Sequence, residues 1–277
     1  MSLTSVAVIL LGQIDKMLLG RLLPLDAFGH YILATTIASA LALPAAPITD
    51  AVLPKYIQLV QHGEESMLKA TFHRACQTTA WLVFPLAAML IVFSTEIVFL
   101  WTGVEGLASR SAVVVSLLTL GAALNTMMSS LDLLQMAHGW LKPAMISRLI
   151  AICVLVPCLF LFVAKAGLEG AGLAWLVVYV GYVTITPHFV WRRLLKGEMG
   201  RWYLSDMVIP FVVACGTAAL WRVGFSIPSG RIPLFLFLLC SWMVISLLVI
   251  GCLPYVRREM THLLKSAFRK ETSALLI

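Results

Sequence analysis

An all-α, polytopic membrane protein with about eight transmembrane helices is predicted by three observations. Hydrophobic residues make up 61% of the 277-residue chain and charged residues only 12%, about half the charged fraction of a soluble domain. The apolar residues are gathered in runs of about 20, the length a helix needs to cross the hydrocarbon core of a bilayer. Glycine and proline punctuate the runs at Pro24, Gly63, Gly103, Gly139, Gly167, Gly197 and Gly230. What remains outside the runs suffices for short connections and a tail, so no sizeable extramembrane domain fits.

The first run covers residues 2–22. It lacks a cationic start and carries Asp15, Lys16 and Arg21 before any plausible cleavage site, so it reads as a retained helix and not a signal peptide. The second covers 28–53 and continues as a more polar extension to about residue 61. Pro44, Pro47 and Pro54 within it each remove a backbone donor and tend to kink a helix, which makes Pro44 and Pro47 candidate hinge points. The third to sixth runs cover 72–93, 108–134, 143–163 and 169–191, and the last two cover 205–224 and 232–253. Gly167, Gly170, Gly172 and Gly181 on the sixth are read as close helix packing. The chain thereby divides into a bundle over 1–200, two additional helices over 201–256 and a basic tail over 257–277. In that tail Met260, Leu263, Leu264, Ala267 and Phe268 recur at helical spacing among basic residues. An interfacial helix on an anionic leaflet and a solvated tail that enforces topology both fit.

Orientation follows from the distribution of the 20 Lys and Arg. With connections assigned alternately to the two sides, Lys16, Arg21, Arg110, Lys165, Arg222 and Arg231 fall on one side and the other fourteen on the opposite one. The richer side is cytoplasmic by the positive-inside rule, with both termini there. Because the net charge of +7 is dispersed between apolar runs and forms no block, nucleic acid is not an expected partner. The six cysteines include no C-x-x-C pair and read as small buried hydrophobes. The sequence contains no H-E-x-x-H, G-x-x-x-x-G-K-[ST] or G-x-S-x-G string and no metal-ligand cluster, and the longest outer connection, around 94–108, is too short for a substrate-processing domain. Neither an enzyme nor a cofactor or metal is therefore expected.

Asp15 and Lys16 are the most informative residues, because they lie well inside the first run, where each charge costs about 2.5–3.5 kcal/mol on insertion scales. On a helix, Thr4, Ser5, Gly12, Asp15 and Lys16 share one face opposite Val6, Ile9 and Leu10. Such a stripe faces a cavity or a partner helix. The competing account has Lys16 reaching outward beside Arg21 with Asp15 neutralising it. Two adjacent residues cannot reach out along the same line, which favours the cavity. Asp50 and Asp132 lie toward helix ends and read as water-reaching carboxylates or local ion pairs, His30 and His188 as packed or interfacial, and Arg148 as reaching the headgroups.

Several strings then add a resemblance. GQIDKMLLGRLLPLDAFGHYILA over 12–34, PITDAVLPKYIQL over 47–59, TEIVFLWTG over 95–103, LQMAHGWLKPA over 134–144 and GLEGAGLAWLVVYVGY over 167–182 resemble, in this order, the carboxy-terminal lobe of polysaccharide biosynthesis proteins. These are the Wzx-type oligosaccharide flippases of the multidrug/oligosaccharidyl-lipid/polysaccharide exporter superfamily. The resemblance implies that residues 1–200 correspond to the second of two six-helix lobes, followed by two extra helices, with no amino-terminal lobe in this chain. It implies a bacterial inner membrane location and the flipping of an undecaprenyl-diphosphate-linked oligosaccharide for surface polysaccharide or O-antigen of lipopolysaccharide. Asp15 and Lys16 match the charged position on the helix that opens the second lobe. Expected partners are the lipid-linked oligosaccharide, membrane lipids, and an amino-terminal lobe or other polysaccharide-assembly proteins. Alternatives are a drug or cation exporter of the same superfamily and a non-transporting scaffold for polysaccharide assembly. A glycan polymerase would be expected to carry a long outer loop, which the sequence lacks.

Overall fold

The computed structural model describes residues 3–195 and 197–261, with side-chain surroundings from residue 13 onward apart from 144. The described residues form helices joined by short connections: α1 Leu3–Leu22, α2 Leu25–Ser39, a 3-10 segment Ala40–Ala45, α3 Ala46–His62, α4 Glu65–Val92, α5 Ser94–Thr102, α6 Glu105–Ala137 and α7 Leu141–Arg193. A single turn, α8 Met199–Arg201, then leads through a π-helical segment Trp202–Val208 into α9 Ile209–Gly224, followed by α10 Arg231–Cys252. Among the described residues six stretches are long and apolar enough to cross a membrane: Leu25–His62, Glu65–Val92, Glu105–Ala137, Leu141–Arg193, Met199–Gly224 and Arg231–Cys252. The helix resumes over 254–261, and the rest of the basic tail lies outside the described residues.

The 53 residues of α7 would extend about 80 Å if straight, far more than the roughly 30 Å of a hydrocarbon core. Gly167 breaks the run, with φ 55 and ψ −126, a conformation that strains any residue bearing a Cβ. The limbs on either side fold back on each other. A Cβ added to Gly170 would lie 2.1 Å from the carbonyl oxygen of Phe162, and farther along Ser147 Oγ meets Thr186 Oγ1 at 3.3 Å. The expected runs 143–163 and 169–191 are therefore two limbs of one hairpin. Its second limb also closes on α6, where Cβ atoms on Gly121 and Gly172 would come within 2.7 Å of Tyr179 and 3.0 Å of Leu117. Gly181 departs from the expected tight contact: nothing lies within 4 Å of its Cβ position, and it lines an apolar cleft between the limbs.

Pro44 sits inside the 3-10 segment and Pro47 in the first turn of α3, where the missing donor would be unpaired in any residue. The expected second run is accordingly two helices with a tighter joint between them. The stretch around 94–108 is also not an open connection, since α5 occupies much of it and packs on α6. α6 lies at the centre, in contact with α2, α3, α4, α5 and α7, and it contributes to both hydrophobic cores. One core joins Leu19, Tyr31, Val98, Val115, Leu159 and Trp175; the other joins Tyr56, Phe72, Phe84, Met127, Trp191 and Trp202. All six thiols are free, but only Cys76 is buried; Cys153 and Cys240 are exposed and the others intermediate. Their apolar surroundings are in part the lipid-facing surface, which a hydropathy pattern does not distinguish from a core.

Candidate functional site: a polar cleft at Asp15 and Lys16

Four helices enclose a cleft of about 280 Å³: α1 supplies Asp15 and Lys16, α2 Thr35, Thr36 and Ser39, α6 Leu118 and Ala122, and the second limb of α7 Trp175 and Tyr179. Asp15 is 3% exposed. Its Oδ2 accepts hydrogen bonds from the Tyr31 hydroxyl at 2.5 Å and from Trp175 Nε1 at 3.2 Å, and the Trp175 N–H also lies 2.9 Å from the Tyr31 oxygen. Asp15 Oδ1 is buried and has no hydrogen-bond partner among the described residues. An acceptor in that position costs free energy unless a proton, a cation or water meets it.

Lys16 lies on the wall of the same cleft and is half-exposed. Among the described residues it forms no ion pair; Asp15 is held by Tyr31 and Trp175 instead. The adjacent α2 residues present hydroxyls whose hydrogens are already committed: Thr35 and Thr36 donate to the Ile32 carbonyl at 2.9 and 2.8 Å, and Ser39 donates to Thr36 at 2.8 Å. Their oxygens keep acceptor capacity toward the cleft. On the opposite wall Trp175 and Tyr179 stack at 5.2 Å between ring centroids with planes 22° apart, which gives the cleft a rigid aromatic face. The cleft thus combines the Asp15 carboxylate, one cation, hydroxyl acceptors and an aromatic face with a lining that is otherwise apolar.

Other charged residues lie elsewhere. Asp132 accepts from the Tyr182 hydroxyl at 2.6 Å and from Arg148 at 3.2 Å, and the Arg148 guanidinium lies 5.5 Å from the Tyr182 ring centre. The local ion pair expected for Asp132 is present, whereas Arg148 turns inward to it and not out to the headgroups. Asp50 and His188 are exposed. His30 is packed, with Nδ1 2.8 Å from Ser111 Oγ. Pro44 and Pro47 do not touch the cleft, but Ser39 immediately precedes the 3-10 segment that contains Pro44. Among the described residues no group of His, Cys, Asp and Glu converges to hold a metal ion.

Reading the sequence alone missed Tyr31, Trp175 and Tyr179, as well as the hydroxyls of α2. The i, i+4 spacing of Trp175 and Tyr179 within an apolar run was the available signal, since it places both rings on one helix face.

The fold and this cleft define a multi-pass α-helical membrane protein with a polar recess between helices. Residues 1–105 match the model of a family described as polysaccharide biosynthesis protein. The matched part includes Asp15, Lys16, Thr35, Thr36 and Ser39; the similar strings at 134–144 and 167–182 lie beyond it. Neither a curated protein nor a solved structure matches the chain.

Proposed function

We propose that this protein moves an undecaprenyl-diphosphate-linked oligosaccharide from the cytoplasmic to the periplasmic leaflet of a bacterial inner membrane, with the cleft at Lys16 as part of the substrate path. The observation that carries this reading is Lys16 itself: a cation without an acidic partner among the described residues, on the wall of a polar cleft. It lies in the part of the chain that matches polysaccharide biosynthesis proteins. Screening between helices is weaker than at an open surface, so an ammonium there attracts a diphosphate more strongly. The α2 hydroxyls and the Trp175–Tyr179 face suit the sugar end. Eight crossings, with residues 1–200 as a lobe and the last two helices as an addition, belong to the same proposal, as does the cytoplasmic placement of both termini. Access alternates only if the ligand binds the two states with different affinity; the joint at Pro44 and Pro47 is where α2 would swing. The unpaired Oδ1 of Asp15 supports a coupling proton or cation at the same site.

Lys16→Gln tests the reading. Surface glycan should be lost and lipid-linked glycan should accumulate inside, with a normal amount of the protein in the membrane, because Asp15 keeps both its partners. Lys16→Arg should retain part of the export. Full surface glycan in a well-accumulated Lys16→Gln strain would remove Lys16 as a substrate contact. Loss of drug efflux with intact glycan would favour the exporter alternative, and loss of neither would favour the scaffold.

A further inference from the structure

We propose that His73, Asp206 and Glu198 form a proton-binding site that fastens the carboxy-terminal helices to α4. His73 and Asp206 are buried, with side chains 1% and 0% exposed. The imidazole is held on both edges: Nδ1 contacts Asp206 Oδ2, and Nε2 lies 3.2 Å from Glu198 Oε2. A neutral imidazole has one N–H and one lone pair, so with two carboxylates in place one of these contacts would set lone pair against lone pair. Both are favourable only when the group holds one further proton, on the ring or on a carboxyl. The carboxylates approach opposite ring nitrogens and do not converge on a common point, so the arrangement suits a proton and not a metal ion.

The surroundings make that proton consequential. Among the described residues no Lys or Arg pairs with Asp206; its other oxygen accepts from Gln77 Nε2 at 2.8 Å. Gln77 Oε1 in turn accepts from the backbone N–H of Tyr255 at 2.9 Å. One chain of contacts thus joins α4 to Glu198, to the π-helical segment and to the helix over 254–261. Among the remaining charged and titratable neighbours, Lys69 lies half-buried one turn before His73 on α4 and forms no ion pair among the described residues. On α4, Arg74 pairs with Glu259 and Cys76 lies one turn from His73. Arg201 Nη1 is 4.0 Å from Glu198 and its Nη2 donates to the Tyr255 hydroxyl. At the end of α7, Arg193 lies over Trp140. Glu198 is 23% exposed and gives the site a route to water. The π-helical geometry over Trp202–Val208 is of the kind that recurs at functional positions. This inference is independent of what the protein transports.

Hydrogen exchange on the whole protein in nanodiscs, expressed as protection factors so that intrinsic pH effects cancel, tests it. From acidic to alkaline buffer, protection of the Tyr255 amide and of 202–208 should fall about tenfold or more as the proton is lost, while the centre of α6 is unchanged. Glu198→Gln should abolish that dependence and keep the protected state, because a neutral ring can donate from Nδ1 to Asp206 and accept at Nε2 from the new amide. His73→Gln should also be flat with pH. Flat protection in the native protein would overturn the proposal, as would full pH dependence in Glu198→Gln.

Discussion

Asp15 is a buried carboxylate whose neighbours are a phenol and an indole, not the lysine beside it. Adjacent helical residues diverge by about 100°, so Asp15 and Lys16 are directed to different surroundings by the helix itself. Tyr31→Phe tests the consequence. It leaves the shape of the core intact but removes the 2.5 Å hydrogen bond, leaving Asp15 with Trp175 alone, at a cost of about 1–3 kcal/mol. We expect a lower unfolding temperature in detergent and less protein in the membrane. An unchanged unfolding temperature would mean that water replaces the phenol at no cost. Trp175→Phe should act in the same direction, and the double variant should cost less than the sum of the two, because these side chains also bond each other.

The hairpin of α7 depends on two glycines for different reasons. Gly167 supplies the backbone conformation of the turn, and Gly170 the room for the returning limb. Gly170→Ala would force a methyl group onto backbone atoms that cannot rotate away, so the limbs must separate. Gly181→Ala meets open space and should be tolerated. A cysteine pair at Ser147 and Thr186, whose hydroxyls lie 3.3 Å apart, reads the difference. Cross-linking should persist in Gly181→Ala and fall several-fold in Gly170→Ala, a change of about 1 kcal/mol or more. Equal cross-linking in both would refute the close approach of the limbs. The joint between α2 and α3 differs in kind: Pro44 lies in a 3-10 segment, which is tighter and less well hydrogen-bonded than α-helix, and so is a more compliant place to bend.

Contacts between connections sort the molecule into two ends. Arg74 meets Glu259, Arg193 lies over Trp140, and Arg201 reaches Tyr255, which gathers the chain near 74, 140, 193–201 and 255–259 at one end. At the other, Asp26 meets Arg110, and Arg222 bonds both Glu96 and the Val92 carbonyl. Alternate assignment of the basic residues would put the first end on the cytoplasmic side and the second on the periplasmic side. Reporter fusions after Gly63, Gly139 and Gly197 should therefore report cytoplasm, and fusions near Asp26, Gly106, Gly167 and Gly230 periplasm. Two neighbouring sites on the wrong side would overturn the eight-crossing topology. The exposed Arg74–Glu259 pair at the first end contributes little on its own, about 0–1 kcal/mol, and less as salt is raised.

Helix existence, approximate bounds and the imbalance of positive charge were legible in the linear chain because each is a local property: about 20 apolar residues span a bilayer whatever lies beside them, and Lys and Arg are counted without knowing their partners. The placement of charge at Asp15 and Lys16 was legible for the same reason, since a charge in an apolar run is anomalous wherever the helix packs. Which groups meet those charges was not. Tyr31 is 16 positions from Asp15, Trp175 is 160 away, and Asp206 is 133 from His73. Such pairs depend on the rotation and register of one helix against another, which follow from the side-chain shapes of both surfaces together. Hydropathy likewise could not divide the apolar residues between core and lipid, because hydrocarbon and protein interior accept the same side chains. Asp15 was thus set within an apolar run by its own helix, but met by Tyr31 and Trp175 only once α1, α2 and the second limb of α7 had come together.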